Sequence, residues 1–271
     1  MTVLAPALPV LDPHAHARVT FPRLVRSELI KLRSLRATAW SGLILVLGCA
    51  GLALLVAVTT RDEGNTDAPG LALDQTTTVV HLLAPLVAVV MGVLFASVEY
   101  TSGAIRPTLA VTPRRWGVLG AKTVAAAAVL AVTSALTAGL TFAIFYGLYH
   151  ARGFAVTLTA ETAGRLGGLA FYGVVLGLIG FLLGFATRSA VAGIGTGLGV
   201  VFLLPILMTL ASGRPLTDWL GAILPESAAR QTWDWYLTPA PGGAWGGVGI
   251  ALAWLAAGFL VTGVLFTRRD A

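Results

Sequence analysis

Val98-Glu99-Tyr100-Thr101-Ser102-Gly103-Ala104-Ile105-Arg106-Pro107-Thr108-Leu109-Ala110-Val111-Thr112-Pro113-Arg114-Arg115 lies between two long apolar runs, and its reading decides how the chain is built. It carries a carboxylate, two prolines and three arginines, so it belongs in water or against another protein rather than in lipid. The runs on either side are long enough to cross a bilayer, for which about twenty apolar helical residues suffice. A chain that alternates such segments is a polytopic helical membrane protein, because a helix satisfies its own backbone polar groups in hydrocarbon. The quoted segment is then a docking surface for a partner subunit.

Composition agrees. Of 271 residues 56% are hydrophobic and 11% charged, against about 25% charged in an ordinary soluble domain. Apolar runs recur along most of the chain, leaving no stretch for a separate soluble core, so one all-α membrane domain is expected. The net charge of +6 is read as topology, and no nucleic-acid partner is expected. The single cysteine, Cys49, sits inside an apolar run and reads as a small core residue.

Residues 1–20 hold three prolines and no apolar periodicity, and read as a flexible cytoplasmic tail. His14 and His16 stand there without further ligands, so no metal site is expected. Residues 21–37 form the first organised element. Phe21, Leu24, Val25, Leu29, Leu32 and Leu35 share one side of a helix, and Arg23, Arg26, Ser27, Arg33 and Ser34 the other. A basic amphipathic helix of this kind lies in the lipid interface. Glu28 falls within the apolar arc, either paired with Lys31 at i+3 or in contact with another cytoplasmic element.

Residues 38–271 form the transmembrane domain, with six spans placed at 38–59, 77–98, 117–149, 166–187, 190–211 and 245–266. The third is long enough to tilt or to project beyond the bilayer. Thirteen Lys and Arg fall on the side holding both termini and the Glu99 segment, and five on the other. The positive-inside bias makes the first side cytoplasmic. Residues 60–76, with Asp62, Glu63, Asp67 and Asp74 against Arg61, suit an external loop. Residues 212–244 are rich in Trp, Leu and Ile, and are predicted to form two short helices, 216–224 and 227–236, broken at Pro225. Such a re-entrant hairpin caps the outer end of the bundle, buried by protein.

Within the spans the ionisable groups are His81, near the outer end of the second, and Lys122, near the inner end of the third. A proton- or sodium-driven carrier places carboxylates or unwound ion sites at mid-membrane, so the energy source is expected elsewhere. His81 is read as a hydrogen-bonded structural residue rather than a titrating one. Gly173, Gly177, Gly180 and Gly184, and the pairs Gly193/Gly197 and Gly195/Gly199, give small-xxx-small faces for close packing, within the chain or across a dimer. Pro85 and Pro205 are expected to bend their spans. Thr133, Thr137 and Thr141 recur at i, i+4 and i+8 with Ser134 beside them. The stripe either lines a path for an amphiphilic substrate or bonds back to its own helix. Gly117 to Thr123 has the outline of a phosphate-binding loop, but Ala121 stands where the glycine before the lysine belongs and no strand precedes it. No catalytic residues are assigned, and the chain is not expected to be an enzyme.

Three motifs together resemble the permease subunits of ABC-2 type ABC transporters, in particular small actinobacterial six-span permeases. They are Ser27 to Ser34 before the first span, Glu99 to Arg106 with Pro113-Arg114-Arg115 after the second, and Thr187-Arg188-Ser189-Ala190 between the fourth and fifth. The resemblance implies a connecting helix, with Glu28, Lys31 and Arg33 on it, and a coupling segment at 99–116. It further implies re-entrant helices in the external loop 212–244. It assigns Glu99, Tyr100, Thr101, Ser102, Gly103, Ala104, Ile105 and Arg106 to docking a separate ATP-binding subunit, which holds ATP and Mg²⁺. A second permease copy and membrane lipid are the other implied partners, and the bacterial cell membrane is the implied location. Glu99 is expected to bond Arg106, Arg114 or the connecting helix. The function implied is export of amphiphilic drug-like, lipidic or peptidic compounds. The alternatives are a peptide-immunity or sensing complex with the same ATPase partner and, further off, a non-transporting scaffold.

Overall fold

The structure is a computed structural model and describes residues 20–60, 70–101, 103, 115–154, 156–234 and 243–268. Most of the 1–20 tail, the 61–69 loop and residues 235–242 therefore lie outside the described residues.

The described residues form helices and no strand. In chain order they are α1 (Phe21–Ser34), α2 (Arg36–Thr59), α3 (Leu71–Thr101), α4 (Arg115–Ala151) and α5 (Ala160–Thr187). There follow α6 (Ala190–Leu198), a π-helical segment (Gly199–Leu203) and α7 (Leu204–Leu210). Two short helices, α8 (Pro215–Ala222) and α9 (Pro225–Arg230), precede α10 (Gly243–Arg268). Six stretches are long and apolar enough to span a membrane: α2, α3, α4, α5, the composite 190–210 and residues 245–268. Each expected span is present, and α3 and α5 start about one and a half turns earlier than their apolar runs. Polar first turns hide that extension, since Asp74 and Thr76 in α3 and Glu161 and Thr162 in α5 interrupt the hydropathy but not the helix.

α5 is the centre of the bundle, 72% buried over its apolar window, with α3 next at 61%; the 190–210 span and α10, at 17% each, lie at the periphery. Glycine explains why α5 sits inside. A Cβ built on Gly92 of α3 would overlap the carbonyl of Gly177, one on Gly180 would overlap the carbonyl of Val89, and one on Gly173 would overlap Ser134. Close backbone approach of this kind drives helix association where lipid removes the hydrophobic incentive. The α5 glycines therefore pack within the chain. On the fifth span Gly193 and Gly197 face Val93 and Val89 of α3, while a Cβ on Gly195 or Gly199 would meet nothing within 4 Å among the described residues.

The ends of α5 are set locally. Thr159 and Thr162 form a capping box, the Thr162 N–H donating to Thr159 Oγ1 at 3.3 Å. The helix stops at Arg188, whose φ of 55° is left-handed. In the fifth span Pro205 cannot donate to the carbonyl four residues back, and its ring crowds that carbonyl. The chain takes up the mismatch in the π segment, where the Leu204 N–H donates to Gly199 O. α3, by contrast, runs through Pro85 as one helix.

Two ends of the bundle can be told apart by cross-helix contacts. At one, α1 packs on α4, and Arg115 Nη1 donates to Phe266 O at 2.8 Å, serving a carbonyl that the end of α10 leaves open. At the other, Arg152 donates to Ala57 O, Arg165 bonds Asp74 at 2.9 Å, and α9 packs on α5 and α10, while Trp254 Nε1 donates to Ile223 O, just past α8, at 2.7 Å. The first short helix falls close to its expected position, but none of its residues is buried among the described residues, unlike the protein-buried hairpin expected; the second opens at Pro225 and ends at Arg230, short of the expected 236.

Candidate functional site: a buried four-charge cluster

α1 has Pro22 in its first turn, where a missing N–H costs nothing, and Lys31 and Arg33 in its last turn, where cations meet the helix C-terminus favourably. Its apolar side faces the bundle. Leu32 is buried, and so is Glu28, at 6% exposure. The acidic residue that breaks the amphipathic pattern is thus delivered into protein by the same periodicity that buries Leu32 and half-buries Leu24 and Leu29.

What it meets there is Lys122 of α4, 5% exposed, whose Nζ lies 2.7 Å from Glu28 Oε2. Lys122 also donates to Glu99 Oε1, and Glu99, in the last turn of α3, is 8% exposed. Lys31 closes the ring, 2.8 Å from Glu28 Oε1 and 3.4 Å from Glu99 Oε1. Two carboxylates and two ammoniums from three helices therefore form one neutral cluster. Glu28 uses both alternatives raised by its place in the apolar arc, pairing locally and across helices. Glu99 reaches the connecting helix through Lys31; Arg106 and Arg114 lie outside the described residues.

A single buried charge is expensive, and a buried pair is tolerable only with good geometry and matched sign. A unit pair at 2.7 Å is worth about 6 kcal/mol at an effective dielectric of about 20, before desolvation is counted. Burial works against the Lys31 ammonium, but the Glu28 and Glu99 carboxylates outweigh it and hold its pKa above the usual lysine value. Glu99 Oε2 is buried without a hydrogen-bond partner among the described residues. The cluster ties α1, α3 and α4 at this end: withdrawing Glu99 with α3 or Lys122 with α4 strands a charge, and withdrawing α1 breaks its Glu28–Lys122 and Lys31–Glu99 contacts.

The other motifs gather nearby. The Tyr100 ring stacks edge-on to Phe185 with centroids 5.3 Å apart, and the Arg188 guanidinium lies 5.5 Å from the Tyr100 ring centre. The loop after α5 is thereby joined to the end of α3. Thr101 bonds back to Val98 O at 3.1 Å. Gly103 takes φ 70°, a left-handed conformation that a side chain would strain, and its N–H reaches Tyr100 O. Ser102, Ala104, Ile105 and Arg106 lie outside the described residues. Arg33 is exposed on α1.

The hydroxyl stripe of α4 lies elsewhere. Thr133 and Thr137 donate to the carbonyls of Val129 and Thr133 at 3.0 and 2.8 Å, and Ser134, Thr137 and Thr141 are buried. Gly42 of α2 and Gly173 of α5 abut Thr133 and Ser134, so in this conformation those two residues face protein. Lys122 is the residue that sequence reasoning left without a role. The signal for it was two misplaced charges of opposite sign, Glu28 in an apolar arc and Lys122 in an apolar helix, both assigned to the same end.

Six helices long and apolar enough to span a membrane, an amphipathic helix leading into the first, and charged motifs meeting at one end describe a multi-pass membrane protein. The chain matches the family described as ABC-2 family transporter protein over residues 23–271 and belongs to it. It is a multi-pass membrane protein and a permease subunit of an ABC transporter, a class that works with an ATP-binding subunit. No curated protein matches it.

Proposed function

We propose that this chain exports amphiphilic drug-like, lipidic or peptidic compounds, driven by a separate ATPase subunit that docks on residues 99–106. ATP and Mg²⁺ belong to that subunit. Two permease copies face each other in a bacterial cell membrane, with both termini cytoplasmic, as the distribution of Lys and Arg suggests. Closure of the ATPase subunits moves the docking segments. A partner drives such a change only by binding one packing better than the other, and here that difference is made outside the membrane.

The observation that carries this reading is the four-charge cluster, which ties the base of the docking segment, Glu99, to the connecting helix through Glu28 and Lys31 and to the third span through Lys122. A push on residues 99–106 is therefore delivered to three helices at once. The α4 hydroxyl stripe is proposed to reach the substrate path when those helices part. The experiment is mild-detergent purification of the chain from its native membrane. An ATP-binding subunit is expected to accompany it, and to be lost when residues 99–106 are replaced by a Gly-Ser linker. A chain that emerges alone and inert, with that segment dispensable, refutes the reading.

A further inference from the structure

At the end of the bundle opposite the charge cluster, two cavities adjoin. One, of about 310 Å³, has a polar floor of His81, Tyr172, Glu226 and Arg230 and an apolar wall supplied by the fifth span, including Val201, Phe202, Pro205 and Ile206. The other, of about 430 Å³, is lined by Asp74, Arg165, Trp233 and Asp234 and shares His81 and Arg230 with the first. The rings of His81, Tyr172 and Trp233 cluster there, with centroids 5.6–6.2 Å apart.

The charges of this chamber do not balance. Arg165 bonds Asp74 at 2.9 Å and also acts on Asp234. Among the residues lining the two cavities, the carboxylates of Asp74, Glu226 and Asp234 face the guanidiniums of Arg165 and Arg230. Glu226 is 8% exposed, and its bonds are long: Tyr172 O–H donates at 3.4 Å and Ser227 O–H at 3.5 Å. Burial pushes the carboxyl groups of both Glu226 and Asp234 above their usual range, despite the nearby Arg230. Pro85 lines the same cavity and has no N–H to give the His81 carbonyl, which leaves that acceptor without its usual helical donor. Trp233, 6% exposed and lining the second cavity, has its indole N–H unpartnered among the described residues. Electron-rich rings, a freed carbonyl and an excess of carboxylates over guanidiniums all favour a positive charge.

We propose that this chamber binds a cationic amphiphile, its cation held by Glu226 beside the Tyr172 and His81 rings and its apolar part laid along the fifth span. Calling that ligand cargo rests on the transporter reading above. Binding itself does not, and it is measured on the chain alone, so failure here and failure to recover an ATPase subunit are separate results.

The test is equilibrium binding of radiolabelled dodecyltrimethylammonium, below its micelle concentration, to the full chain in phosphatidylcholine nanodiscs, with empty nanodiscs subtracted. A saturable component is expected for the cation and not for dodecyl sulfate, and tetramethylammonium is expected to compete poorly because it lacks the chain. Glu226→Gln is expected to weaken binding about tenfold or more, since a charge-assisted contact is lost. Ile206→Trp, on a half-exposed wall position, is expected to abolish it by filling the cavity. Asp218→Asn, an exposed acid on α8, is expected to leave it unchanged. Absence of saturable binding by monodisperse protein overturns the proposal. So does dodecyl sulfate binding as well as the cation, or full binding by both Glu226→Gln and Ile206→Trp.

Discussion

Replacing Lys122 with methionine removes one of the four clustered charges while keeping most of the side-chain volume. Glu28 and Glu99, 6% and 8% exposed, are then left with Lys31 alone. The Lys31 side chain is 42% exposed, so solvent screens it, and such pairs contribute only about 0.2–1 kcal/mol. Breaking a buried ion pair from one side costs about 3–5 kcal/mol, because the surviving charge stays buried. At about 2 °C per kcal/mol for a chain of this size, the unfolding midpoint is expected to fall by about 6–10 °C. The diagnostic comparison is with Lys122→Met/Glu99→Gln. That double variant leaves Glu28 and Lys31 as a neutral pair at 2.8 Å, and is expected to recover at least half of the loss, a favourable coupling within the usual range of about 0.5–3 kcal/mol for one network. The assay is thermal unfolding in one detergent, followed by intrinsic fluorescence and by loss of the monodisperse peak. If the two substitutions simply add, the four charges do not act as a unit and the reasoning fails.

Gly92→Leu is expected to prevent stable folding or to cost well over the about 1–3 kcal/mol usual for overpacking, because its side chain would meet the Gly177 backbone, which cannot rotate away. Gly195→Ala, at a site with open space, is expected to leave the monomer's unfolding midpoint within a degree or two; equal damage from both would contradict the packing described. Glu226 has its folded pKa raised above 4.5, so the folded chain binds more protons than the unfolded chain between 4.5 and that raised value, and stability rises as pH falls through the window. Glu226→Gln is accordingly expected to raise the unfolding midpoint at pH 7, with the gain vanishing as pH approaches 4.5; a gain independent of pH would contradict this. Arg115→Ala is expected to cost about 1–3 kcal/mol in the same assay by withdrawing a charged donor from Phe266 O.

The spans were legible because hydropathy reports length and burial in lipid directly. α1 was legible because its two faces differ so strongly. What periodicity does not reveal is which face of one helix meets which face of another. Glu28, Glu99 and Lys122 could each be seen as out of place, yet their union depends on α1 crossing α4 beside the end of α3, a tertiary fact. The small-residue faces carried the same ambiguity. The Gly173 to Gly184 ladder and the Gly195/Gly199 pair look alike in sequence, and one packs inside the chain while the other does not. Pro205 announced a distortion, but the π segment that absorbs it needs the helix around it to be seen. The chamber around Glu226 was hidden because its parts come from α3, α5, the fifth span and α9, and converge only in the fold.

The central claim is that the Glu99 cluster transmits the partner's motion to the membrane helices. Leu210, at the far end of the fifth span, is 79% exposed, and the one cysteine, Cys49, is buried, so Leu210→Cys can be labelled selectively with a nitroxide. The decisive measurement is the label-to-label distance between the two permease copies of the assembled complex, with and without ATP, in the otherwise unaltered chain and in Glu99→Gln. The account predicts that ATP shifts the distance distribution in the first, and that in Glu99→Gln the complex still assembles and hydrolyses ATP while the distribution stays where it was. An equal shift in both would show that the helices are moved by some other route.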